Sequence, residues 1–409
     1  WTHYLHGASN NAVAMDSRVA PPSHLKWKSD PTWCRSHDGE SSSVALVLSA
    51  EGRLISVIDE GLTGQPGVPD RWTLVGRDAF NGTLLWKRKL PKRPEQKGVV
   101  AVGERVYVAV GKGMPLEVVE AATGKAIKDV EGTEGADELV IEGDTIVAHC
   151  AGGQQGDGAI VAVSAENGRL LWHKTSAFMK NSLAASDGRV CYHDGKEVIC
   201  LDLLAGDLAW RAECKAGKDV GLLMIYRGAV LVSGGGLKAF DASTGEFLWK
   251  GPGVNKRLSL FGCDGLAWVT DIQEPGRTFL WTPAPVVTKG YNPKTGDVER
   301  TVEVSCLVTP GHHIRCYPAK ATERYLLLPK RGVEFVDLEG DTHMRHDWFR
   351  GSCRHGVMPA NGLLYVPPHQ CFCYTGVKLT GFNAMSAAAI EQAETPATDR
   401  LVRGPAYGS

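Results

Sequence analysis

The sequence lacks two features that would each define a broad class of protein: a long apolar run and an excess of one charge. No uninterrupted apolar stretch approaches the roughly 18 residues that a membrane-spanning helix needs. The 45 Lys and Arg residues are balanced by 46 Asp and Glu residues, which gives a formal net charge of -1. Such a chain has no global positive field to hold a nucleic-acid backbone. We therefore expect no transmembrane segment and no nucleic-acid partner.

Two further absences narrow the fold and the chemistry. No Cys-x-x-Cys-His motif is present, which excludes covalently attached haem. Signals for helix starts and stops are almost absent, and we interpret the Ala/Glu-rich segment after Met385 as a linker. The expected fold class is therefore all-β.

Cysteine, by contrast, is abundant, with eleven residues in a chain of 409. This number is high for a cytosolic protein and favours an oxidising compartment, either the periplasm or the extracellular space. Because eleven is odd, at least one thiol stays free or pairs outside the chain. The first residue is Trp1 rather than Met, so we expect a chain that was processed or cut from a longer one.

One pair of cysteines lies in a predicted hairpin, RVCYHDGKEVICLD. If Gly195 and Lys196 form its two-residue loop, Cys191 and Cys200 fall directly opposite each other. That placement suits a cross-strand disulfide. The alternative is a pair of half-buried thiols that pack as small apolar side chains.

One pattern recurs along the chain: an apolar strand, an Asp or Asn, a turn that ends in Gly, and a second strand that often carries Trp. The intervals between the turn glycines are 42, 44, 38, 39, 51 and 44 residues, which is the period of a propeller blade and too irregular for a tight solenoid. The turns are GRDAFNGTLLW at Gly82, VVEAATGKAI at Gly124, AVSAENGRLLW at Gly168, CLDLLAGDLAW at Gly206, AFDASTGEFLW at Gly245, GYNPKTGDVE at Gly296 and FVDLEGDTHM at Gly340.

Each part of the repeat has a physical reason. We expect its carboxylates to accept hydrogen bonds from backbone N–H groups of the following turn, while the glycine supplies the positive φ that closes the turn. Its tryptophans are expected to bury a large flat side chain against the next blade. The carboxylates are Asp78, Asp202, Asp241 and Asp337, and the tryptophans are Trp86, Trp172, Trp210 and Trp249.

An eighth unit is divided between the two ends of the chain. KLTGFNAM carries Asn383 at the usual Asp position without a following Gly and Trp, and PPSHLKW ends in Trp27 without a preceding turn. Joining them completes a blade and closes the ring, which leaves no sheet edge open. We therefore predict a single eight-bladed β-propeller over residues 21–385, with an N-terminal extension over the propeller (1–20) and a C-terminal linker or tail (386–409).

These Asp-x-x-x-Gly-x-x-x-Trp turns resemble the PQQ-like repeats of the quinoprotein-alcohol-dehydrogenase-like superfamily of eight-bladed propellers, over essentially the whole chain. WTHYLHGASNNAVAMDS, GHHIRCYPAKATERYLL and the stretch 350–384 are further similar to a propeller segment of large multidomain bacterial proteins. In those proteins a methyltransferase-like segment can precede the propeller, and a second propeller follows a junction like RLVRGPAYG. The superfamily includes dehydrogenases, outer-membrane assembly scaffolds and proteins with no known activity, so the resemblance implies the fold and not the function.

The quinone-dependent members of this superfamily typically carry two adjacent cysteines beneath the quinone, a calcium ion held by Glu and Asn, and an Asp base. This sequence has no Cys-Cys dipeptide, and one residue separates Cys371 from Cys373. A PQQ-dependent dehydrogenase is therefore the less favoured interpretation, and we expect neither PQQ nor a metal ion.

The segments between the repeat turns contain an unusual set of Arg and His residues. Loops that join blades converge on the faces and the channel of a propeller, where ligands bind. Because Arg presents a planar donor fork to carboxylates and sulfates, we expect a mouth that accepts an anionic ligand such as an acidic glycan. A structural mesh of donors bonded to loop carbonyls is the alternative. The predicted ligand-binding residues are Arg35, His37, Asp38, Arg315, Arg350, Arg354 and His369.

If this mouth is catalytic, its residue types suit a lyase that acts on acidic polysaccharides. The reaction needs a cation beside the uronate carboxylate, a base with a pKa of about 7 and an acid for the departing oxygen. Arg315 or Arg354 would supply the cation. The candidate bases are His312, His313 and His355, and the candidate acids are Tyr317 and Tyr374.

The same loops contain four more cysteines, Cys316, Cys353, Cys371 and Cys373. Two disulfides that pin long loops, a metal site shared with nearby histidines, and free buried thiols are the three interpretations. Because the spacing matches no recognised zinc finger, we expect the disulfides.

The sequence as a whole favours an exported bacterial propeller that binds a ligand or a partner. The competing hypotheses are a carbohydrate-active enzyme and a scaffold that docks proteins through its faces. A strongly perturbed histidine in an open pocket would favour the enzyme. A filled channel together with an exposed apolar face would favour the scaffold.

Overall fold

The computed structural model describes residues 1–32, 34, 43–61, 68–111, 113–152, 158–215, 221–234, 236–254, 260–272, 286–304, 317–329, 332–340, 343–369 and 379–387. Every regular element within these ranges is a β-strand. The strands form eight sheets arranged in a ring, and for five neighbouring pairs of sheets the first strands contact each other directly. The prediction of an all-β, eight-bladed propeller is therefore confirmed.

Two strands near the N-terminus precede the first complete blade, and four-stranded antiparallel blades follow. The early strands are β1 (Val13–Ala14) and β2 (His24–Ser29). Blade 1 contains β3 (Val44–Ala50), β4 (Arg53–Asp59), β5 (Trp72–Asp78) and β6 (Leu84–Lys89). Blade 2 contains β7 (Val99–Val102), β8 (Arg105–Val108), β9 (Leu116–Glu120) and β10 (Ala126–Val130). Blade 3 contains β11 (Ala136–Glu142), β12 (Thr145–Cys150), β13 (Ala159–Ser164) and β14 (Leu170–Thr175). Blade 4 contains β15 (Ala184–Ser186), β16 (Arg189–His193), β17 (Glu197–Asp202) and β18 (Leu208–Glu213).

The second half of the ring repeats this order. Blade 5 contains β19 (Leu222–Tyr226), β20 (Ala229–Ser233), β21 (Leu237–Asp241) and β22 (Phe247–Lys250). Blade 6 contains β23 (Leu260–Cys263), β24 (Leu266–Ile272), β25 (Val286–Tyr291) and β26 (Val298–Val304). Blade 7 contains β27 (Lys320–Thr322), β28 (Tyr325–Pro329), β29 (Val333–Asp337) and β30 (His343–His346). Blade 8 contains β31 (Met358–Ala360), β32 (Leu363–Val366) and β33 (Phe382–Ser386).

Blade 8 takes its outermost strand from the other end of the chain. β2 pairs with β33 in antiparallel register, and Trp27 lies opposite Ala384. The predicted joining of the two chain ends in one blade is confirmed. Hydrogen bonds between β2 and β33 thus close the ring.

The repeated tryptophans hold neighbouring blades together. The indole N–H of Trp86 donates to the carbonyl of Ala121 in the turn of blade 2, at 2.8 Å. Its ring lies against Gly124 of the same turn, where a Cβ would sit 2.5 Å from the indole. Four other tryptophans make the same pair of contacts with the next blade: Trp27, Trp172, Trp210 and Trp249. The glycine of the repeat is therefore needed both for its positive φ and for the space above it.

The carboxylates of the repeat act as predicted. The Oδ1 atom of Asp78 accepts hydrogen bonds from the backbone N–H groups of Phe80 and Asn81, at 2.8 and 3.1 Å. Equivalent contacts are made by Asp202, Asp241 and Asn292, and the Oδ1 atom of Asp337 accepts one such bond.

Three blades depart from the tryptophan rule: β30 of blade 7 contains no tryptophan, and blades 2 and 6 have a cation in its place. Lys128 of blade 2 and Arg300 of blade 6 occupy the Trp position of the outermost strand. The Lys128 ammonium donates to the carbonyl of Glu166, and the Arg300 guanidinium donates to the carbonyl of Leu338. A cation on a flexible stem thus replaces the indole as the donor to the next turn.

The hairpin of blade 4 has the predicted register, with Cys191 opposite Cys200. Both residues are buried free thiols, and their sulfur atoms lie 2.9 Å apart. The predicted disulfide is therefore not confirmed, and the alternative of two thiols that pack as small apolar groups describes the structure. Cys353 forms no disulfide either, so the bridge predicted for it is not confirmed.

The contact between Gly124 and Trp86 gives a direct test of the repeat. We expect Gly124→Ala to lower the free energy of unfolding by about 2–4 kcal/mol, because a left-handed backbone and an overpacked indole are penalised together. Gly103→Ala is the matched control, since Gly103 also has positive φ but has no atom within 4 Å of its added Cβ. The control should lose only about 1–2 kcal/mol. Urea unfolding measures both, and equal losses would contradict the steric role of the glycine.

Candidate functional site

The N-terminal segment, defined here as residues 1–16, follows the inside of the ring and hydrogen-bonds to every blade. Most of these bonds use backbone N–H groups at the end of each innermost strand. The donors are Ser49 to the Trp1 carbonyl, Ala101 to the Thr2 carbonyl, Ile141 to His3 Nε2, Ala185 to the Ala8 carbonyl, Ile225 to the Ser9 carbonyl, Gly262 to Asn11 Oδ1, Ala321 to the Ala12 carbonyl and Gly362 to Asp16 Oδ2. The segment therefore contacts the eight blades in their order around the ring.

Several polar side chains of this segment replace backbone pairing where the chain turns. Asn10 is 2% exposed, and its amide nitrogen donates to the carbonyls of Leu183 and Leu223, each at 2.8 Å. These carbonyls belong to blades 4 and 5. Further along the segment, β1 adds to blade 7 as a parallel strand, with Val13 opposite Ala321.

The middle of the segment occupies the channel. Leu5 packs against three hydrophobic clusters, which belong to blades 1 and 2, blades 6 and 7, and blades 5 and 6. A side chain can contact such distant blades only from the centre of the ring. Tyr4 is buried beside it, and its hydroxyl donates to the carbonyl of Arg354 at 2.6 Å.

The loop before blade 8 enters the channel beside Tyr4. Arg350, Ser352 and His355 in this loop are each 0% exposed. Lys320 of β27 donates to the His355 carbonyl at 2.8 Å, and its ammonium lies 5.4 Å from the Tyr4 ring centroid and 5.7 Å from that of Trp1. Contacts of a cation with aromatic faces partly replace lost hydration. The loop, Lys320 and the N-terminal segment together fill this part of the channel.

Burial controls the protonation of these groups. Desolvation lowers the pKa of Lys320 to about 7. It also lowers the pKa of His3 to about 3 and that of His6 to about 4. The neutral form of His3 agrees with its hydrogen bonding, because Nε2 accepts from the Ile141 N–H at 3.0 Å. Burial and the nearby Lys320 hold the pKa of His355 well below its usual value.

Five predicted site residues near this loop are described by the structure. Tyr317 is 2% exposed and donates its hydroxyl to the Gly332 carbonyl at 2.8 Å. The guanidinium of Arg350 donates to the Gly351 carbonyl and lies 5.9 Å from the Tyr317 ring centroid. His355 is buried, whereas Arg354 and His369 are half-buried. The perturbed histidine thus lies inside packed protein rather than in an open pocket.

The other predicted residues of the mouth lie outside the described residues. They are Arg35, His37, Asp38, His312, His313, Arg315, Cys316, Cys371, Cys373 and Tyr374. Within the described ranges, no group of three or more His, Cys, Asp or Glu side chains is placed to hold a metal ion. No helix of the described chain is long and apolar enough to span a bilayer.

The sequence analysis predicted an N-terminal extension over the propeller and did not predict the path of residues 1–16. That path depends on single polar groups that bond to residues far away in the sequence, as in the contact between the Asp16 carboxylate and the Gly362 N–H, 346 residues apart. The available signal was compositional, because WTHYLHGASNNAVAM joins aromatic and amide side chains with small residues that fit close to inner strands.

Asn10 tests the contribution of the N-terminal segment. We expect Asn10→Asp to lower the free energy of unfolding by about 2–5 kcal/mol, because a buried carboxylate would face two carbonyls that lose their donor. Asn167→Asp is the control, since Asn167 is exposed and its Oδ1 accepts from the Arg169 N–H, a role that Asp retains. Urea unfolding that gives the same small loss for both variants would contradict a stabilising role for Asn10.

Lys320 predicts a pH dependence of stability. Its pKa is about 7 in the folded chain and 10.5 ordinarily. Between these values the unfolded chain binds a proton that the folded chain does not, so stability attributable to Lys320 rises with pH. Urea unfolding at pH 6.5, 7.5 and 8.5 should show that Lys320→Met removes this rise. The exposed control Lys89→Met should keep it, and identical profiles for the two variants would contradict the assignment.

Comparison with known proteins adds a family to this geometry. The repeat family described as "Outer membrane protein assembly factor BamB" matches residues 26–249 and 156–298. Two curated proteins match shorter stretches: the serine/threonine-protein kinase AfsK of Streptomyces coelicolor, 30% identical over 126 residues, and the outer membrane protein assembly factor BamB of Francisella tularensis, 28% identical over 94 residues. The matches cover 28% and 22% of this chain but only 14% and 20% of those proteins.

Solved structures show the same architecture at low identity. The quinohemoprotein alcohol dehydrogenase from Comamonas testosteroni superposes with a TM-score of 0.59 at 12% identity, covering 99% of this chain and 82% of that chain. At such identity the likeness carries the fold alone. Because the family match spans more than half of the sequence and the blades, turns and tryptophans are those of the repeat, this chain belongs to the PQQ-like propeller family that includes the outer membrane protein assembly factor BamB.

Proposed function

We propose that this chain is a protein-docking propeller of an exported bacterial protein, and that it acts as a scaffold rather than as an enzyme. The filled channel is the observation that carries this proposal. Tyr4, Leu5, Lys320 and His355 occupy the part of the ring where propellers commonly bind small ligands. A ring packed in this way offers its outer surfaces to partners.

The outer surface of the ring supports docking. Each blade exposes one large apolar side chain on its outermost strand, between 42% and 53% exposed. Isolated apolar side chains are ordinary on a surface, but one per blade forms a regular belt around the ring. We call this belt the apolar rim: Leu25, Leu84, Ile127, Leu170, Leu208, Phe247, Val298 and Met344.

The names of relatives agree with this proposal. The matching family and one curated relative are described as an outer membrane protein assembly factor. On the basis of that description, we propose that this chain works outside the cytoplasm with protein partners. The abundance of cysteine, which favours an oxidising compartment, points the same way.

Glycan binding, polysaccharide cleavage and quinone-dependent oxidation have less support as functions of this chain. The anionic-glycan mouth and the lyase assignment depend on loops that lie mostly outside the described residues, and the described members Arg350, His355 and Tyr317 are buried. The described channel residues also do not fit a quinone, because Tyr4 and the loop of His355 take up the space and the sequence has no adjacent cysteines. We therefore propose a function that needs no cofactor.

Site-specific photo-cross-linking tests the docking proposal. A photoreactive amino acid replaces the exposed Ala209, which is next to Leu208 of the apolar rim. We expect one discrete protein adduct in cells of the native host. The rim variant Leu208→Ser/Phe247→Ser should reduce the adduct at least tenfold, since interface energy concentrates in buried apolar anchors.

A matched control uses two exposed polar positions, Glu131→Ser and Lys215→Ser, and should leave the adduct unchanged. Failure to form any discrete adduct, combined with tight binding of polygalacturonate to the purified chain, would replace the docking proposal with the glycan hypothesis.

A further inference from the structure

A cavity of about 480 Å³ opens between the turns of blades 3 and 4. Its walls come from the turn after β11, the turn between β13 and β14, and the facing turns of blade 4. The side chains important here are Glu142, Asp144, Glu166, Arg169, Leu171 and Leu204. None of these residues belongs to the channel described above.

This cavity coincides with an irregularity of the repeat. Ser164 stands where blades 1, 4, 5 and 7 have Asp, so the turn of blade 3 lacks a carboxylate cap at that position. Asp144 from the neighbouring turn supplies the cap instead: its Oδ1 accepts from the Glu166 N–H at 2.7 Å, and its Oδ2 accepts from the Ser164 hydroxyl at 2.8 Å. Serine is shorter than aspartate, and the carboxylate beside it is that of Asp144, from the turn between β11 and β12.

Most of the charged side chains that line this cavity are negative, and most of them form no ion pair with a described residue. Three carboxylates face one guanidinium, and Glu142, Glu166 and Arg169 form no ion pair among the described residues. Glu142 Oε2 is buried without a hydrogen-bond partner in this part of the chain, and desolvation raises the pKa of Glu142. An unsatisfied buried carboxylate oxygen is costly unless a donor reaches it.

The cationic side chains near this cavity do not neutralise the negative charge of its lining. Arg105 and Lys128 donate to the carbonyls of Ala165 and Glu166, and neither side chain lines the cavity. Asp187 lies near Glu142 and adds a further negative charge that raises its pKa. The local field therefore favours a cation.

Part of the cavity lining is apolar. Leu171 is half-buried, Leu203 is 5% exposed and Leu204 is 68% exposed. A small metal ion would gain nothing from such a wall, and within the described ranges the carboxylates are not grouped closely enough to ligate one. A ligand with an apolar stem and a cationic end matches both the leucines and the carboxylates of this lining, as the side chains of arginine and lysine do.

We infer that this cavity receives the long cationic side chain of an arginine or lysine from a docking protein, with its stem on the leucines and its charge on Glu142 and Glu166. The inference rests on the docking function proposed above and names the chemistry of one contact. Arginine fits best, because its guanidinium can bind carboxylates through two parallel hydrogen bonds.

An NMR titration with blocked amino acids tests the cavity itself. The probes are Nα-acetyl-arginine methylamide, the lysine equivalent and the neutral citrulline equivalent. We expect the arginine or lysine probe to bind at least tenfold more tightly than the citrulline probe. The variant Glu142→Gln/Glu166→Gln should abolish this preference, while Glu131→Gln/Glu134→Gln, which alters two exposed carboxylates outside the cavity, should preserve it.

Equal binding of the charged and neutral probes, or an unchanged preference in the cavity variant, overturns the inference. The cavity variant is then placed in the cross-linking experiment at Ala209, where the adduct should fall at least fivefold. An adduct that persists at full yield overturns the inference and leaves the docking function standing. If the wild-type chain forms no adduct, the docking function fails and the titration alone decides whether the cavity binds cations.

Discussion

The contact of a tryptophan with the glycine of the next turn is the interaction on which the ring depends. Each of the five indoles spans two blades, with one hydrogen bond to a turn carbonyl and one face against a residue that has no side chain. Blades 2 and 6 lack the indole and keep a hydrogen bond to the next turn through Lys128 and Arg300. In seven of the eight blades, a long side-chain donor therefore reaches the turn of the neighbouring blade.

The N-terminal segment imposes a second constraint from the inside. The indoles join blades pairwise near the outer strands, whereas residues 1–16 join all eight blades at their inner strands. A repeat array held only by nearest neighbours can open at any interface. A segment that hydrogen-bonds to every blade couples these interfaces. Two of its side chains, Tyr4 and Leu5, also fill the channel.

The sequence predicts the blades well because their determinants are local. Asp78, Gly82 and Trp86 lie within nine residues, and each constrains one turn or one strand face. The split blade was predicted by the same logic, from Trp27 and Asn383. The channel could not be predicted this way, since the burial of Arg350 and His355 depends on where a distant segment lies. Clustered Arg and His residues indicated a mouth, but the same side chains serve equally well as internal donors.

Departures from a repeat are where such a chain can acquire a specific partner. A residue that matches the repeat pattern has a role in folding, so substituting it lowers stability. Ser164 breaks the consensus, yet its turn remains capped because Asp144 supplies the acceptor. The exchange leaves the fold intact, and the adjacent cavity is lined by three carboxylates, one arginine and three leucines. A regular ring thereby gains one site that differs from its repeats, which is the asymmetry that the proposed docking function would need in order to be selective.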